Sequence, residues 1–381
     1  MRFGFTTGIC AAAAAKASAV FINSGKVFEE ICVKNLEGQE FFFKVQHENE
    51  KFFSVIKDSG DDLGDVTNGI KIFAKVEILD GFGEIFFERG QGVGLVTLPG
   101  LKIPVGEAAI NPVPRKIIEN SVREIIKNSS IKVTIKIPGG EEIAKRTFNP
   151  RLGIVGGLSI LGTSGFVKPM NEKALLESLS LELNMIKALG FEELYLTFAG
   201  TGEKILRKIF NLNSRNVIQT GNYIGYVIDE ALKLNFQKIT ICGHPGKLLK
   251  VAAGAFNTHS KIADGRLEAL CTHLALAGAK QEFISKIFNS NTTNEAINLI
   301  NAENFSFVWN NIAAVIAKKC RERTFDKINF DVFIIDNEGK IVDNLSFKRY
   351  ANEVNKILCF INGIDNIHCY VNAKGESFIP D

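Results

Sequence analysis

The sequence predicts two domains of different class, an α+β domain over residues 1–150 and an α/β domain over residues 151–381. Two observations support this prediction. Residues 28–90 hold short runs rich in β-branched and aromatic residues, separated by Gly, Asp or Asn, which is typical of strands joined by turns. After Gly190, apolar strand-like runs alternate with glycine-containing loops and helical stretches, which favours a mainly parallel sheet. Pro150 stands where the first pattern ends.

Length, charge and cysteine usage narrow the class of protein. A chain of 381 residues has room for two or three domains. Its 45 Lys and Arg against 42 Asp and Glu give a formal charge of +3, which offers no electrostatic argument for nucleic acid or membrane partners. No apolar run reaches about 18 residues, and the N-terminus is not that of a signal peptide. Seven cysteines without a CxxC pair argue against structural zinc and against a disulfide framework. We expect a reduced, cytoplasmic protein, with a homodimer as the default assembly.

The N-terminal segment predicts a helix. Thr6 or Thr7 is a good N-cap, an alanine run follows, and Gly25 is a typical stop signal. One interpretation is a buried helix packed against a sheet. The other is that Thr6, Thr7 and Gly8 form a donor-rich helix start that faces an anionic ligand.

Four aspartates lie within eight residues of the first domain. The segment from Lys57 to Gly69 contains Asp58, Asp61, Asp62 and Asp65, without the spacing or terminal glutamate of an EF-hand loop. Two readings of this segment stay open. It is either a solvated turn, or a loop in which one carboxylate acts as a base or recognises a polar group of the substrate.

Glycine and proline are concentrated in Gly90–Arg115, which holds five glycines and four prolines. Because proline fixes φ and glycine takes the turns, this predicts a stiff, shaped loop with Glu107 and Asn111 as polar candidates. Strands at 131–137 and 142–148 are predicted to close the first domain.

Residues 151–169 combine a short strand, a glycine-rich loop and the approach to a helix. The glycines are Gly156, Gly157, Gly162 and Gly165, and the hydroxyls are Ser159, Thr163 and Ser164. Such a loop is either a place where a backbone approaches a ligand or a tight interdomain turn.

The second domain repeats the order strand, Gly/Thr loop, helix three times. The predicted strands are 193–198, 216–219 and 238–242, and the loops after them are 199–203, 220–225 and 243–247. This repeat predicts a Rossmann-like, mainly parallel sheet with ligands at the carboxyl ends of its strands, where His244 also lies. A helical insert (266–278, 281–289, 293–302, 307–322), a buried strand at 330–335 and C-terminal strands at 356–363 and 368–372 follow.

Six segments, in order, resemble the CbiD family of anaerobic cobalamin biosynthesis. They are Phe5–Ala12, Lys57–Asp62, Gly92–Gly94 through Ile110–Arg115, Arg151–Lys168, Gly221–Tyr223 and Gly243–Lys247. The resemblance spans residues 2 to about 270 and implies transfer of a methyl group from S-adenosylmethionine to C1 of cobalt-precorrin-5B, giving cobalt-precorrin-6A. The partner would be a cobalt-tetrapyrrole, and because the cobalt belongs to this substrate, no metal site of the protein is expected. The family name assigns no catalytic residue.

Candidate site residues follow from the chemistry that this activity needs. A carboxylate or neutral histidine can take a proton, which selects Asp58, Asp61, Asp62 and His244 as catalytic candidates. The glycine and hydroxyl loops select Gly156, Gly157, Gly162, Thr163, Ser164, Gly200, Thr201, Gly202, Gly221 and Asn222 for the cofactor. Helix starts and polar or basic side chains select Thr6, Thr7, Gly8, Lys57, Glu107, Asn111, Arg115, Arg151, Lys168 and Lys247 for the carboxylate-rich substrate. The alternatives are a non-catalytic tetrapyrrole carrier and a small-molecule phosphotransferase using the glycines of 90–94.

Overall fold

The computed structural model describes residues 2–49, 51–62, 64–167, 172–210, 212, 215–336 and 341–342, with the backbone alone at 209, 370–371 and 377–378. The chain forms two compact units, Met1–Leu189 and Gly190–Asp381. A mixed α/β architecture with several sheets, one of them parallel, is confirmed. Among the described residues, no helix has the length and apolar character needed to cross a membrane.

The first unit contains short strands and a few helices. Its strands are β1 (Gly4–Phe5), β2 (Glu30–Lys34), β3 (Glu40–Lys44), β4 (Gln46–Asn49), β5 (Phe52–Ile56), β6 (Lys71–Phe82), β7 (Ile85–Arg89), β8 (Leu95–Val96), β9 (Ser129–Lys136), β10 (Ile154–Val155) and β11 (Phe166–Val167). Its helices are α1 (Thr7–Ser24), α2 (Pro112–Arg123), α3 (Gly140–Ala144) and α4 (Glu172–Ala188). The main sheet has the order β4-β5-β6-β9-β7, antiparallel except between β7 and β9.

Helix α1 is the centre of this unit's core. It packs against β5, β6 and α2, and the side chains of Ala11–Ala15 are 0% exposed. Small side chains let the helix approach the sheet closely, which agrees with the buried-helix interpretation. The Thr6 hydroxyl accepts a hydrogen bond from the Ile9 amide, and Gly25 ends the helix at φ +69°.

Residues after Pro150 return to the first unit. β10 pairs with β8, and β11 pairs with β1, both antiparallel. The first compact unit therefore extends to Leu189, beyond the residue where the sequence pattern changes. The predicted strand at 142–148 is wrong, because α3 begins there after Gly139 at φ +79° and carries two glutamates in its first turn.

The second unit is built on parallel strands. The strands are β12 (Glu193–Thr197), β13 (Val217–Gln219), β14 (Lys238–Gly243), β15 (Asn329–Ile334), β16 (Tyr370–Val371) and β17 (Ser377–Phe378). The helices are α5 (Gly200–Ile209), α6 (Ile224–Lys233), α7 (Pro245–Ala252), α8 (Arg266–Leu276), α9 (Gln281–Phe288), α10 (Thr293–Ala302) and α11 (Val308–Arg323). The predicted strand at 356–363 lies outside the described residues.

Strand order in the parallel sheet locates its topological switch point. The order is β13-β12-β14-β15, and Thr197 at the end of β12 is level with Gln219 of β13 and Cys242 of β14. The chain moves from β12 outward to β13 and then returns to β14 on the other side. The carboxyl ends of β12 and β14 therefore flank a topological switch point, where open α/β sheets bind ligands.

Candidate functional site

In the first unit, the aspartate segment is joined to the N-terminus of the chain. The terminal guanidinium nitrogens of Arg2, Nη1 and Nη2, donate to the Asp58 carboxylate at 2.7 and 3.0 Å, and the Arg2 amide donates to Asp61 Oδ2 at 2.7 Å. The Phe5 amide donates to the Asp58 carbonyl at 2.7 Å. Asp58 is thus committed to an ion pair, whereas Asp61 keeps one oxygen without a described hydrogen bond. In Asp62, Oδ1 accepts from the Gly64 amide at 3.0 Å.

A buried ion pair within this segment stabilises it. Lys57 is only 2% exposed, and its ammonium donates to Asp65 Oδ2 and to the Ser59 hydroxyl. Burial raises the pKa of Asp65, but hydrogen bonds from Lys57, Thr67 and Ser59 outweigh it and lower that pKa to about 2. Lys57 is therefore held within the fold by Asp65 and Ser59.

Beside Asp58 lies an open depression of about 300 Å³ with an apolar floor. Its lining is Phe5, Phe42, Phe43, Lys44, Gln46, Val55, Ile56 and Asp58. Phe42 and Ile56 are 58% and 51% exposed, so both present apolar surface to solvent in this depression. The depression offers aromatic surface with one cation and one carboxylate at its edge.

The helix start at Thr6–Gly8 is occupied by the protein itself. The Thr6 amide donates to the Gly165 carbonyl and the Gly8 amide to the Leu161 carbonyl. The Thr7 hydroxyl also bonds the backbone of residue 161. These groups hold the loop 159–165 against the start of α1.

The glycines of that loop serve close packing. A Cβ on Gly157 would lie 2.2 Å from the Gly92 carbonyl oxygen, and one on Gly162 would lie 2.4 Å from the Thr6 side chain. The structure thus favours a tight turn over a ligand loop here. Gly156 and Thr163 are exposed, and the Ser164 hydroxyl is within 3.4 Å of the Phe166 backbone.

The remaining basic candidates of the first unit are paired. Arg115 binds Glu107 at 2.7 Å and lies over the Phe87 ring, and Arg151 binds Glu182 at 3.1 Å. Asn111 precedes α2 and is exposed, without a side-chain cap bond. Lys168 lies outside the described residues.

In the second unit, the predicted loops meet at one edge of the sheet. The Thr220 amide donates to the Thr197 carbonyl, and Asn222 Oδ1 accepts from the Lys247 ammonium. The Thr220 hydroxyl is buried and has no hydrogen-bond partner in the part of the chain that the structure describes, and the residue is 1% exposed. Among the described residues, the Trp309 indole nitrogen is also buried and unpaired, but it belongs to α11 and not to a strand end.

A polar pair missed by the sequence analysis lies at the same edge. Gln219 Nε2 donates to Glu203 Oε2 at 2.7 Å, and Arg207 binds the other oxygen of Glu203. The signal was available, because Gln219 ends a strand and Glu203 lies in the first turn of the helix after the neighbouring strand.

Glycines at this edge also have different roles. A Cβ on Gly202 would lie 1.9 Å from the Thr197 hydroxyl oxygen, and one on Gly243 would lie 2.6 Å from the Phe198 ring. These two glycines allow close packing. Gly221 has φ +58° and open space, Gly200 is half-buried, and Thr201 is exposed.

His244 is a helix cap. Its Nδ1 accepts from the Gly246 amide at 3.1 Å, and its Nε2 lies 2.8 Å from Asn294 Oδ1. Because Nδ1 accepts, Nε2 carries the proton and donates to the asparagine. Both ring nitrogens are engaged, so His244 is not set up as a general base.

Within the described ranges, no group of three or more His, Cys, Asp or Glu side chains is arranged to hold a metal ion.

Comparison with known proteins identifies close relatives. A family model described as CbiD matches residues 1–169, and one described as CbiD, C-terminal domain, matches residues 257–344. A curated relative from Alkaliphilus metalliredigens, named cobalt-precorrin-5B C(1)-methyltransferase, is 42% identical and covers 91% of this chain and 93% of its own. One of the same name from Methanocaldococcus jannaschii is 38% identical and covers 90% and 95%. A crystal structure of the cobalamin biosynthesis protein CbiD from Archaeoglobus fulgidus is 33% identical, covering 70% of this chain and 84% of that chain with a TM-score of 0.38.

Proposed function

The chain belongs to the CbiD family, and we propose that it is a cobalt-precorrin-5B C(1)-methyltransferase. It uses S-adenosylmethionine to methylate C1 of cobalt-precorrin-5B, which gives cobalt-precorrin-6A. The observation that carries this proposal is the 42% identity to a curated methyltransferase over 91% of the chain. The cobalt-tetrapyrrole is the substrate, and its cobalt arrives with it.

The second unit fits the methyl donor. Its β13-β12-β14-β15 sheet supports a Rossmann-like arrangement, with the topological switch point between the ends of β12 and β14. The unpaired, buried Thr220 hydroxyl supports a ligand here, because a buried hydroxyl without a partner is unfavourable. Bound there, S-adenosylmethionine supplies an electrophilic methyl group. We therefore assign Thr201, Gly221 and Asn222 to the donor, with Gly200 and Gly202 shaping the loop.

The first unit fits one face of a flat macrocycle. The depression beside Asp58 presents the exposed faces of Phe42 and Ile56. Aromatic and aliphatic side chains suit a conjugated ring, and the cations Arg2 and Lys44 suit its carboxylate side chains. Asp58 binds the Arg2 guanidinium and so positions this cation.

The chain's own residues contribute mainly binding and orientation. A displacement on carbon depends on alignment of the reacting groups, which rigid loops supply. Asp58 and His244 are engaged in hydrogen bonds within the protein. Asp61 and Asp62 each keep one carboxylate oxygen without a described partner, so we assign them the acceptance of a proton from the ring.

An anaerobic assay tests the function directly. The purified chain is incubated with cobalt-precorrin-5B and methyl-labelled S-adenosylmethionine, and the product is read by mass spectrometry. We expect one labelled methyl group at C1. Binding of the tetrapyrrole without methyl transfer would overturn the proposal in favour of a carrier.

A pair of matched variants tests the assigned substrate surface. Phe42→Ala removes an exposed ring from the depression, whereas Phe82→Ala removes a ring that is 79% exposed and outside it. We expect about a tenfold increase in KM for the macrocycle in the first variant only, since a buried aromatic contact contributes about 1–2 kcal/mol. Equal KM values in both would remove the depression from the substrate site.

A further inference from the structure

Three cations of the second unit lie close together without enough carboxylates. They are Lys247 and Lys250 of α7 and Arg266 at the start of α8. Asp264 binds Arg266 through both carboxylate oxygens, at 2.5 and 2.8 Å, and its Oδ1 lies 3.9 Å from the Lys250 ammonium. The negative charge of Glu268 also raises the pKa of Arg266. The described carboxylates thus serve the guanidinium and leave both ammonium groups without a hydrogen-bonded anion.

Lys250 has a nearly buried side chain and no hydrogen-bonded carboxylate among the described residues. Its side chain is 4% exposed, and among the described contacts its only anionic neighbour is Asp264 at 3.9 Å, which is beyond hydrogen-bond distance. A carboxylate that bonds an ammonium on a largely buried side chain makes a strong, charge-assisted hydrogen bond. Such an ammonium is expected where a ligand supplies the carboxylate.

Lys247 lies where that ligand would enter. Its ammonium donates to two neutral oxygens, Asn222 Oδ1 and, at 3.4 Å, the Thr258 carbonyl. Burial lowers the pKa of Lys247, and the charges of Lys250 and Arg266 lower it further, so an anion here would relieve repulsion. Asn222 belongs to the loop after β13, which places the cluster at the carboxyl edge of the sheet.

Backbone donors of α7 do not compete for this role. The Gly246 amide donates to the His244 ring, and the amides of Lys247 and Leu248 donate to the His244 carbonyl. An anion at this edge is therefore held by side chains.

We propose that Lys247 and Lys250 form a carboxylate-binding site, with Asn222 orienting the Lys247 ammonium. The inference rests on the proposed function, because both of its ligands carry carboxylates. The amino-acid part of S-adenosylmethionine has one, and the macrocycle has several. The position beside Thr220 and Asn222 favours the methyl donor, and the experiment below separates the two sources.

Calorimetric titrations with chosen ligands test the site. S-adenosylhomocysteine carries the amino-acid carboxylate, 5′-methylthioadenosine lacks the amino-acid part, and cobalt uroporphyrin is a cobalt-tetrapyrrole with eight carboxylates. For Lys247→Met we expect about tenfold weaker binding of S-adenosylhomocysteine, because the variant loses one charge-assisted hydrogen bond to the carboxylate. We expect unchanged binding of 5′-methylthioadenosine. The control is Lys286→Met, a change at an exposed lysine of α9.

Lys250→Met separates ligand binding from a structural role. Methionine has a similar volume and no charge, and the nearest described carboxylate is 3.9 Å from the ammonium. The substitution should therefore weaken ligand binding without lowering the melting temperature of the unliganded protein. A structural lysine would give a lower melting temperature and unchanged affinity, which would overturn the proposal.

The other possible results of these titrations also support or overturn the carboxylate site. Weaker binding of cobalt uroporphyrin alone would support the site and assign it to the macrocycle. Affinities within about twofold of wild type for all ligands in both variants, below the loss expected of a charged hydrogen bond, would overturn it. If wild type methylates cobalt-precorrin-5B while the variants bind normally, only this inference fails. If the wild-type protein binds S-adenosylhomocysteine through Lys247 but does not methylate cobalt-precorrin-5B, only the proposed function fails.

Discussion

Asp65→Asn should destabilise the first unit strongly. The substitution keeps the shape of the side chain and removes its charge, which leaves the Lys57 ammonium, 2% exposed, without an anion. Breaking a buried ion pair on one side costs about 3–5 kcal/mol. Because Asp65 is 16% exposed and an asparagine oxygen still accepts one hydrogen bond, we expect about 2–3 kcal/mol.

Acid should remove part of the same stabilisation in the wild-type protein. The folded state lowers the pKa of Asp65 from 3.8 to about 2. The carboxylate therefore stabilises the fold fully at pH values above its ordinary pKa. That stabilisation is lost as the pH falls from about 4 to about 2. At about 1.36 kcal/mol per pH unit, and allowing for partial exposure, the loss is about 1–2 kcal/mol. Asp65→Asn should flatten this part of the pH profile.

Guanidinium denaturation with two probes measures the effect. Circular dichroism follows the whole chain, while the single tryptophan, Trp309, reports on the second unit. Asp80→Asn on the exposed part of β6 is the control, and Lys57→Met combined with Asp65→Leu should recover part of the lost stability. A free energy of unfolding for Asp65→Asn within about 0.5 kcal/mol of wild type, the range of ordinary surface substitutions, would refute the reasoning.

Three further substitutions test individual positions. His244→Ala should lower the free energy of unfolding by about 1 kcal/mol through loss of a cap, with His244→Asn recovering most of it. Turnover that falls more than a hundredfold in both variants would instead restore His244 as a base. Gly60→Ala should cost more in urea denaturation than Gly38→Ala, because both have positive φ but only at Gly60 would a Cβ lie 2.3 Å from the Arg2 carbonyl oxygen. Thr220→Val should raise the melting temperature and weaken S-adenosylhomocysteine binding by calorimetry; unchanged affinity would exclude its hydroxyl from the donor site.

Local signals in the sequence predicted the elements well. The helix after Thr6 follows from an N-cap, an alanine run and a terminal glycine, all within one segment. The order of the strands in each sheet could not be predicted from local signals, because each strand pairs with a partner far away in the chain. The return of 166–167 to pair with 4–5 shows this, since neither short strand carries a pattern of its own.

Residue type alone was a poor guide to the site. Glycine looks the same in a sequence whether it faces a ligand or another backbone, and the structure separates Gly157, packed on Gly92, from Gly221 in open space. The aspartate segment was recognised, but its partner Arg2 lies more than fifty residues away. Lys250 was missed, although its spacing of three from Lys247 places both on one face of a helix after a strand end.

Hydrogen-bond satisfaction separates the candidates better than their chemistry does. A fold leaves a buried polar group unpaired at a cost of about 1–3 kcal/mol, so most groups that look functional are engaged internally. Asp58 and His244 belong to this class. Among the described residues, the Thr220 hydroxyl has no hydrogen-bond partner, and the described carboxylate near the Lys250 ammonium is 3.9 Å away. Both lie in the second unit, at or just after the carboxyl edge of its parallel sheet. A ligand that pairs with both groups would couple its binding to the stability of this edge, and the Thr220→Val and Lys250→Met variants test that coupling.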